Sequence, residues 1–138
     1  MCLHKMEKLE EEAPKGYIEP SNLAFEELTE EEEQIQVDDF AKKIILLVFS
    51  ILSEEKSYHF FQLQKEELLP LSQWSQEALW EAIYLALTRE SYPIYLYLEE
   101  KSSLLVLDNS LSCPVYSRSE PWMKRLRELV IKEELAIT

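Results

Sequence analysis

The stretch SQWSQEALWEAIYLALTRESYPIYLYLEEKSSLLVLD, residues 72–108, decides the fold prediction. It predicts a helix over residues 75–90, because apolar residues recur at helical spacing behind Ser75, which can cap the amino end. Tyr92 and Pro93 break this helix. Two short apolar runs, Ile94–Leu98 and residues 104–108, follow on either side of a polar turn. The stretch therefore predicts a helix followed by a β-hairpin.

Two helices are expected ahead of this stretch. Asp38 or Asp39 can cap a first helix, which is predicted to be buried on most sides because nearly every position after the cap is apolar. Its core face is expected to consist of Phe40, Ile44, Leu47, Val48 and Ile51. Residues 58–61 suit a short strand, and residues 62–69 are predicted to form a short second helix that Pro70 ends.

Behind the hairpin, residues 109–117 are predicted to form a loop. Ser119, Glu120 and Pro121 then favour a helix start, with a cap, an acid in the first turn and a proline where no backbone N–H is needed. This last helix is expected to reach about residue 135. Its core stripe is predicted to be Met123, Leu126, Leu129 and Val130.

Residues 1–36 differ from the rest in charge. They hold eleven acidic residues and three lysines, so they account for −8 of the formal net charge of −13. Pro14, Gly16 and Pro20 interrupt them, and Thr29 can cap a short helix with Glu32. We predict an acidic, partly disordered arm over residues 1–36 and one domain over residues 37–138. The arm is either a solvated tail or a segment that docks on a partner or on its own domain.

Over about residues 37–135 the predicted order is helix, short strand, helix, helix, two-stranded wing and helix. This order resembles the winged-helix superfamily, a helix-turn-helix with a β-hairpin wing. The acidic character is more similar to the protein-docking members, such as the winged-helix domains of chromosome-condensation subunits, than to the DNA readers. The resemblance implies an α+β fold, a helix-rich winged-helix-like domain with a β-hairpin and a C-terminal helix behind the acidic arm. No functional residue is carried over from it.

Residue types argue against catalysis and cofactor binding. Gly16 is the only glycine, so neither a P-loop nor a dinucleotide-binding fingerprint can be present, and tight Asn-Gly hairpins are excluded in favour of longer turns. The two cysteines and two histidines share no metal-ligand spacing. His59, between two aromatic residues, is expected to be a half-buried structural histidine rather than a base for Cys113. We expect no enzyme, no cofactor and no metal.

The charge of the chain also limits the classes of partner that it can bind. The third helix and the wing carry mostly glutamates, such as Glu77, Glu81 and Glu90, which would repel phosphate, so duplex DNA and anionic membranes are disfavoured. We expect the partner to be another protein or a second copy of this chain, as a homodimer. The first residues lack the apolar stretch of a signal peptide, which favours a cytoplasmic protein.

The leading hypothesis is a non-enzymatic adaptor or complex subunit that docks a partner through the hairpin and third-helix face. Tyrosine and tryptophan are favoured interface anchors. The candidate partner-binding residues are Trp80, Tyr84, Tyr95 and Tyr97. Two alternatives stay open, a small acidic secretion-type chaperone and a nucleic-acid-binding winged-helix regulator that uses a basic C-terminal helix. The candidate basic patch for the latter consists of Arg118, Lys124, Arg125, Arg127 and Lys132.

Overall fold

A computed structural model describes residues 2–21 and 27–138, without the side chain of Cys2. Within this part the helices are α1 Cys2–Glu12, α2 Glu30–Ser53, α3 Gln76–Thr88 and α4 Glu120–Lys132. The strands are β1 Lys15–Pro20, β2 His59–Gln64, β3 Glu67–Pro70, β4 Ile94–Leu98, β5 Ser103–Leu107, β6 Cys113–Ser117 and β7 Leu135–Ile137.

The described strands form one antiparallel sheet in the order β3-β2-β4-β5-β6-β1-β7. Side chains of α2, α3 and α4 form the main core on one face of this sheet. Side chains of α1 form a smaller core on the other face. The α+β class predicted from the sequence is confirmed.

Helix α2 buries the face that its spacing predicts, since Phe40, Ile44, Leu47, Val48 and Ile51 are all buried. Its predicted start at Asp38 or Asp39 is wrong, because it begins at Glu30. Thr29 caps it through a capping box with Glu32, so the cap that the sequence predicts for a short separate helix begins this long one. The four glutamates of the first turn favour this start, because negative charge stabilises the positive end of a helix.

The prediction that this helix is buried on most sides is also wrong. Leu46 and Phe49 are 52% and 50% exposed, because the sheet, α3 and α4 cover the other sides of α2 and leave this stripe open. An apolar stripe thus faces outward on the longest described helix.

The short helix predicted over residues 62–69 is wrong. This segment forms the second half of β2 and all of β3, joined by a two-residue turn at Lys65 and Glu66. Both turn residues have positive φ, 47° and 66°, which two-residue hairpin loops of type I′ require. The exclusion of tight hairpins for lack of glycine therefore fails here. Pairing of β2 with both β3 and β4 overrides the helical pattern.

The predicted hairpin is confirmed as β4 and β5. Ile94, Leu96 and Leu98 face the main core, while Tyr95 and Tyr97 face α1. Every residue of β5 is buried, as expected for a strand covered on both sides. The predicted loop over residues 109–117 is wrong at its end, because its last five residues form β6 beside β5.

The described part of the predicted acidic arm is folded. Helix α1 buries Met6 and Leu9 against the sheet, and β1 is an inner strand between β6 and β7 that buries Ile18. Few apolar residues are present here, but Met6, Leu9 and Ile18 are spaced so that they pack into the two cores of the sheet. Gly16 allows the backbone of Thr138 to approach β1 closely, since a Cβ at position 16 would lie 2.7 Å from the backbone oxygen of Thr138. Residues 22–26 of the predicted arm lie outside the described residues.

Helix α4 starts as predicted, with the Ser119 side chain accepting a hydrogen bond from the Trp122 backbone N–H. Leu126, Leu129 and Val130 are buried as expected, whereas Met123 is only partly buried and Trp122 joins the core in its place. The element order behind the winged-helix resemblance is changed, because the predicted second helix is a hairpin and the wing lies inside a wider sheet.

Candidate interaction surface

The four candidate partner-binding residues lie on two different faces of the sheet. Tyr95 and Tyr97 face α1, and Trp80 and Tyr84 belong to α3 on the opposite face. The single docking face predicted from the hairpin and the third helix is therefore not assembled.

Tyr97 is not exposed, because α1 covers it. Its relative exposure is 2%, and it shares a buried cluster with Met6 and Leu9. Tyr95 is partly buried at the edge of the same cluster. Burial raises the pKa of Tyr95 to about 12, and the nearby Glu10 carboxylate adds to the rise. Tyr97 is a core residue of the α1 side and Tyr95 is partly buried beside it, which corrects their predicted role as an exposed aromatic wing.

Tyr84 fixes α3 to α2. Its hydroxyl donates a hydrogen bond of 2.8 Å to a carboxylate oxygen of Asp38, and this bond raises the pKa of Tyr84. The predicted capping aspartate thus has a different task, which is to hold two helices together.

Trp80 takes part in an exposed apolar surface that the sequence indicates only in part. Its ring stacks on Phe49 of α2 with centroids 4.1 Å apart and planes at 20°. Leu46 lies three positions before Phe49, so it borders the same surface. We call Leu46, Phe49 and Trp80 the helical patch. The signal that could have identified it is the surplus of apolar positions outside the core stripe of α2.

Charged residues surround the helical patch. Glu77 precedes Trp80 by three positions on α3, and Glu81 follows it directly, and both side chains are exposed. On α2, Lys42 precedes Leu46 by four positions and is exposed as well. Aromatic side chains are enriched in the centres of protein interfaces, whose rims are polar.

Two members of the candidate basic patch pair with acids of the same chain. Arg118 contacts Glu12 of α1 at 2.9 Å. Arg125 donates to both carboxylate oxygens of Glu54 and also to Glu128, and its hydrogen bonds lower the pKa of Glu54. The remaining members, Lys124, Arg127 and Lys132, are exposed on α4.

A Cys–His catalytic pair is not assembled. Cys113 is buried in the main core, where burial raises the pKa of its thiol to about 12. His59 is paired in register with Tyr97 and so lies on the α1 face of the sheet. In the described ranges no group of three or more histidine, cysteine or acidic side chains is arranged to hold a metal ion.

Comparisons with known proteins give no match for this chain among family models, curated proteins or solved structures. Within the described part of the chain, none of the helices combines the length and the apolar character needed to cross a membrane.

Proposed function

We propose that this protein is a non-enzymatic interaction domain, an adaptor or complex subunit, that docks a partner protein through the helical patch. The observation that supports this is the exposure of Leu46 and Phe49 beside the stacked ring of Trp80. Aromatic residues held rigidly at a surface bind a partner with little loss of side-chain entropy. The sequence predicts a docking surface made of the third helix and the hairpin. The proposed surface keeps Trp80 of the third helix and does not include the hairpin.

Charge favours a different protein over a second copy. The formal net charge is −13, so a symmetric dimer would bring two acidic surfaces together. Glu77 and Glu81 beside Trp80 add local negative charge. The preferred partner therefore presents an apolar side chain flanked by lysine or arginine. A cytoplasmic location is part of this proposal.

One alternative gains support from the fold. A small acidic secretion-type chaperone fitted the size and charge of the chain but not the single hairpin predicted from its sequence. The described residues form a seven-stranded sheet, so the single hairpin no longer argues against this class, whereas the helix-heavy first two-thirds of the chain still does. The nucleic-acid alternative loses support, because Arg118 and Arg125 already pair with carboxylates of the same chain.

The proposal is tested by affinity capture from a native lysate with three forms of the protein. These are the wild type, the double variant Leu46→Ser with Phe49→Ser, and the control variant Ile131→Ser. Ile131 is 69% exposed on α4, so its substitution removes a comparable apolar group from another surface. Circular dichroism and thermal unfolding establish that all three forms are folded.

The expected result is at least one protein that the wild type and Ile131→Ser capture in equal amounts and that the double variant loses. Identical capture by all three forms would refute the role of the helical patch. A mass of two chains for the wild type in sedimentation, reduced to one chain in the double variant, would instead identify a second copy as the occupant.

A further inference from the structure

A groove runs between α1 and the β2–β3 hairpin, on the face of the sheet opposite the helical patch. Its volume is about 480 Å³, which is within the range of about 300–1,000 Å³ typical of binding pockets. Apolar side chains and four carboxylates line it. We call this set the acidic groove: Leu3, Glu7, Glu10, Leu63, Glu66, Glu67, Leu68 and Tyr95.

The two sides of α1 differ in how their charged residues are paired. On one flank Lys5 pairs with Glu99 at 2.7 Å and Glu12 pairs with Arg118 at 2.9 Å, which ties the helix to the sheet. The other flank presents Glu7 and Glu10 to the acidic groove. Among the described residues that line the groove, no lysine or arginine balances its carboxylates.

The crowding of negative charge shows in the titration of Glu10. Burial is the largest cause that raises the pKa of its carboxyl, and repulsion by Glu7 adds to the rise, while attraction by Lys15 lowers the pKa by more than repulsion by Glu11 raises it. A positive group brought into the acidic groove would relieve this repulsion. Metal chelation does not explain the carboxylates, since no metal-holding cluster occurs in residues 2–21 and 27–138.

The apolar floor of the groove favours a ligand that also carries an apolar group. Leu3 is 41% exposed at the α1 wall, and Leu63 and Leu68 are only partly buried at the hairpin wall, so apolar surface remains open in the groove. An occupant that satisfies both features carries lysine or arginine for the rim and a branched or aromatic side chain for the floor. A short cationic peptide segment with apolar anchors has this chemistry.

We propose that the acidic groove binds a cationic peptide segment of a partner protein, with its apolar anchors on Leu63, Leu68 and Tyr95 and its basic groups at the glutamate rim. This second site is independent of the helical patch, because the two lie on opposite faces of the sheet. The pairing of an acidic rim with an apolar floor sets its specificity for charge and for shape.

The test measures fluorescence anisotropy of a labelled peptide of about ten residues, two leucines among lysines, against the full-length protein at low salt. A matched peptide has glutamate in place of every lysine. Two groove variants, Glu7→Gln with Glu10→Gln and Glu66→Gln with Glu67→Gln, are compared with a control variant.

The control is Glu77→Gln with Glu81→Gln on α3. It lowers the net negative charge by the same two units, from −13 to −11, so it removes the general attraction of an acidic protein for a basic peptide equally. We expect each groove variant to weaken binding about fivefold or more and the control to leave it within about twofold. The Leu68→Ser variant should weaken binding as well, because it removes part of the floor.

Equal weakening by the groove variants and by the control would overturn the proposal, since binding would then follow net charge alone. Absence of saturable binding below about 1 mM would overturn it too. The Leu46→Ser with Phe49→Ser variant should bind the peptide as the wild type does. A loss of peptide binding in that variant would place the site on the helical patch and refute the acidic groove.

Discussion

Substitution of Met6 by alanine should destabilise the whole domain, although Met6 belongs to a segment whose composition suggests an acidic arm. The side chain is fully buried between α1 and the sheet, together with Leu9 and Tyr97. A buried methionine replaced by alanine costs about 2–5 kcal/mol, from lost transfer free energy and from the cavity that remains. The free energy of unfolding of a domain is about 5–15 kcal/mol, so this is a large share of it.

In a domain of this size each kcal/mol lowers the melting temperature by about 3–4 °C, so Met6→Ala should lower it by roughly 6–20 °C. Urea unfolding followed by circular dichroism should give a lower midpoint with an unchanged slope. The matched control is Glu11→Ala, an exposed position on the same helix, which should cost less than about 0.5 kcal/mol. Equal effects of the two substitutions would refute the packing of α1 on the sheet and restore a separate arm.

Three further predictions follow from buried and strained positions. Leu47→Ala in the fully buried face of α2 should cost about 2–5 kcal/mol in urea unfolding, whereas Lys42→Ala on its exposed side should cost under about 0.5 kcal/mol. Lys65→Asn with Glu66→Gly should raise stability by about 1 kcal/mol in thermal unfolding, because both residues have positive φ, and a fall would refute the two-residue turn. Stability should decline between about pH 10 and pH 12, because the pKa of Tyr95 is raised to about 12 and the unfolded chain releases this proton first. Tyr95→Phe should make that decline shallower, and an unchanged pH profile would contradict the burial of the hydroxyl.

Elements with local signals could be predicted from the sequence. The cap of α3 could be predicted because Ser75 directly precedes an apolar helical stripe. The Thr29–Glu32 capping box could be predicted from its spacing as well. The core face of α2 also follows from spacing alone. These features depend on residues within a few positions of each other, so no knowledge of the rest of the fold is needed.

Features that depend on distant segments could not be predicted. Tyr97 alternates with core residues and looks exposed, because its cover comes from Met6 and Leu9 near the start of the chain. The β2–β3 turn lacks glycine, so its strands carry no local hairpin signal. The high charge of the first residues conceals the few apolar side chains that place α1 and β1 in the fold.

The candidate site, like the fold, could be predicted only where its residues carry a local signal. Trp80 was identified because tryptophan is a favoured interface anchor. Its partner Phe49 was assigned to the core, because spacing alone cannot show which side of an apolar helix its neighbours leave uncovered. The acidic groove exists because α1 lies beside β3. These two segments are far apart in the sequence, and no sequence pattern predicts that they lie next to each other.

Photo-crosslinking in living cells tests whether the helical patch docks a partner protein. A photoreactive phenylalanine analogue replaces Phe49 in one form and Ile131 in another, since both side chains are exposed on different helices. We predict a discrete covalent adduct of defined mass from position 49 that is missing from position 131. Equal adducts at the two positions, or none at position 49, would contradict it.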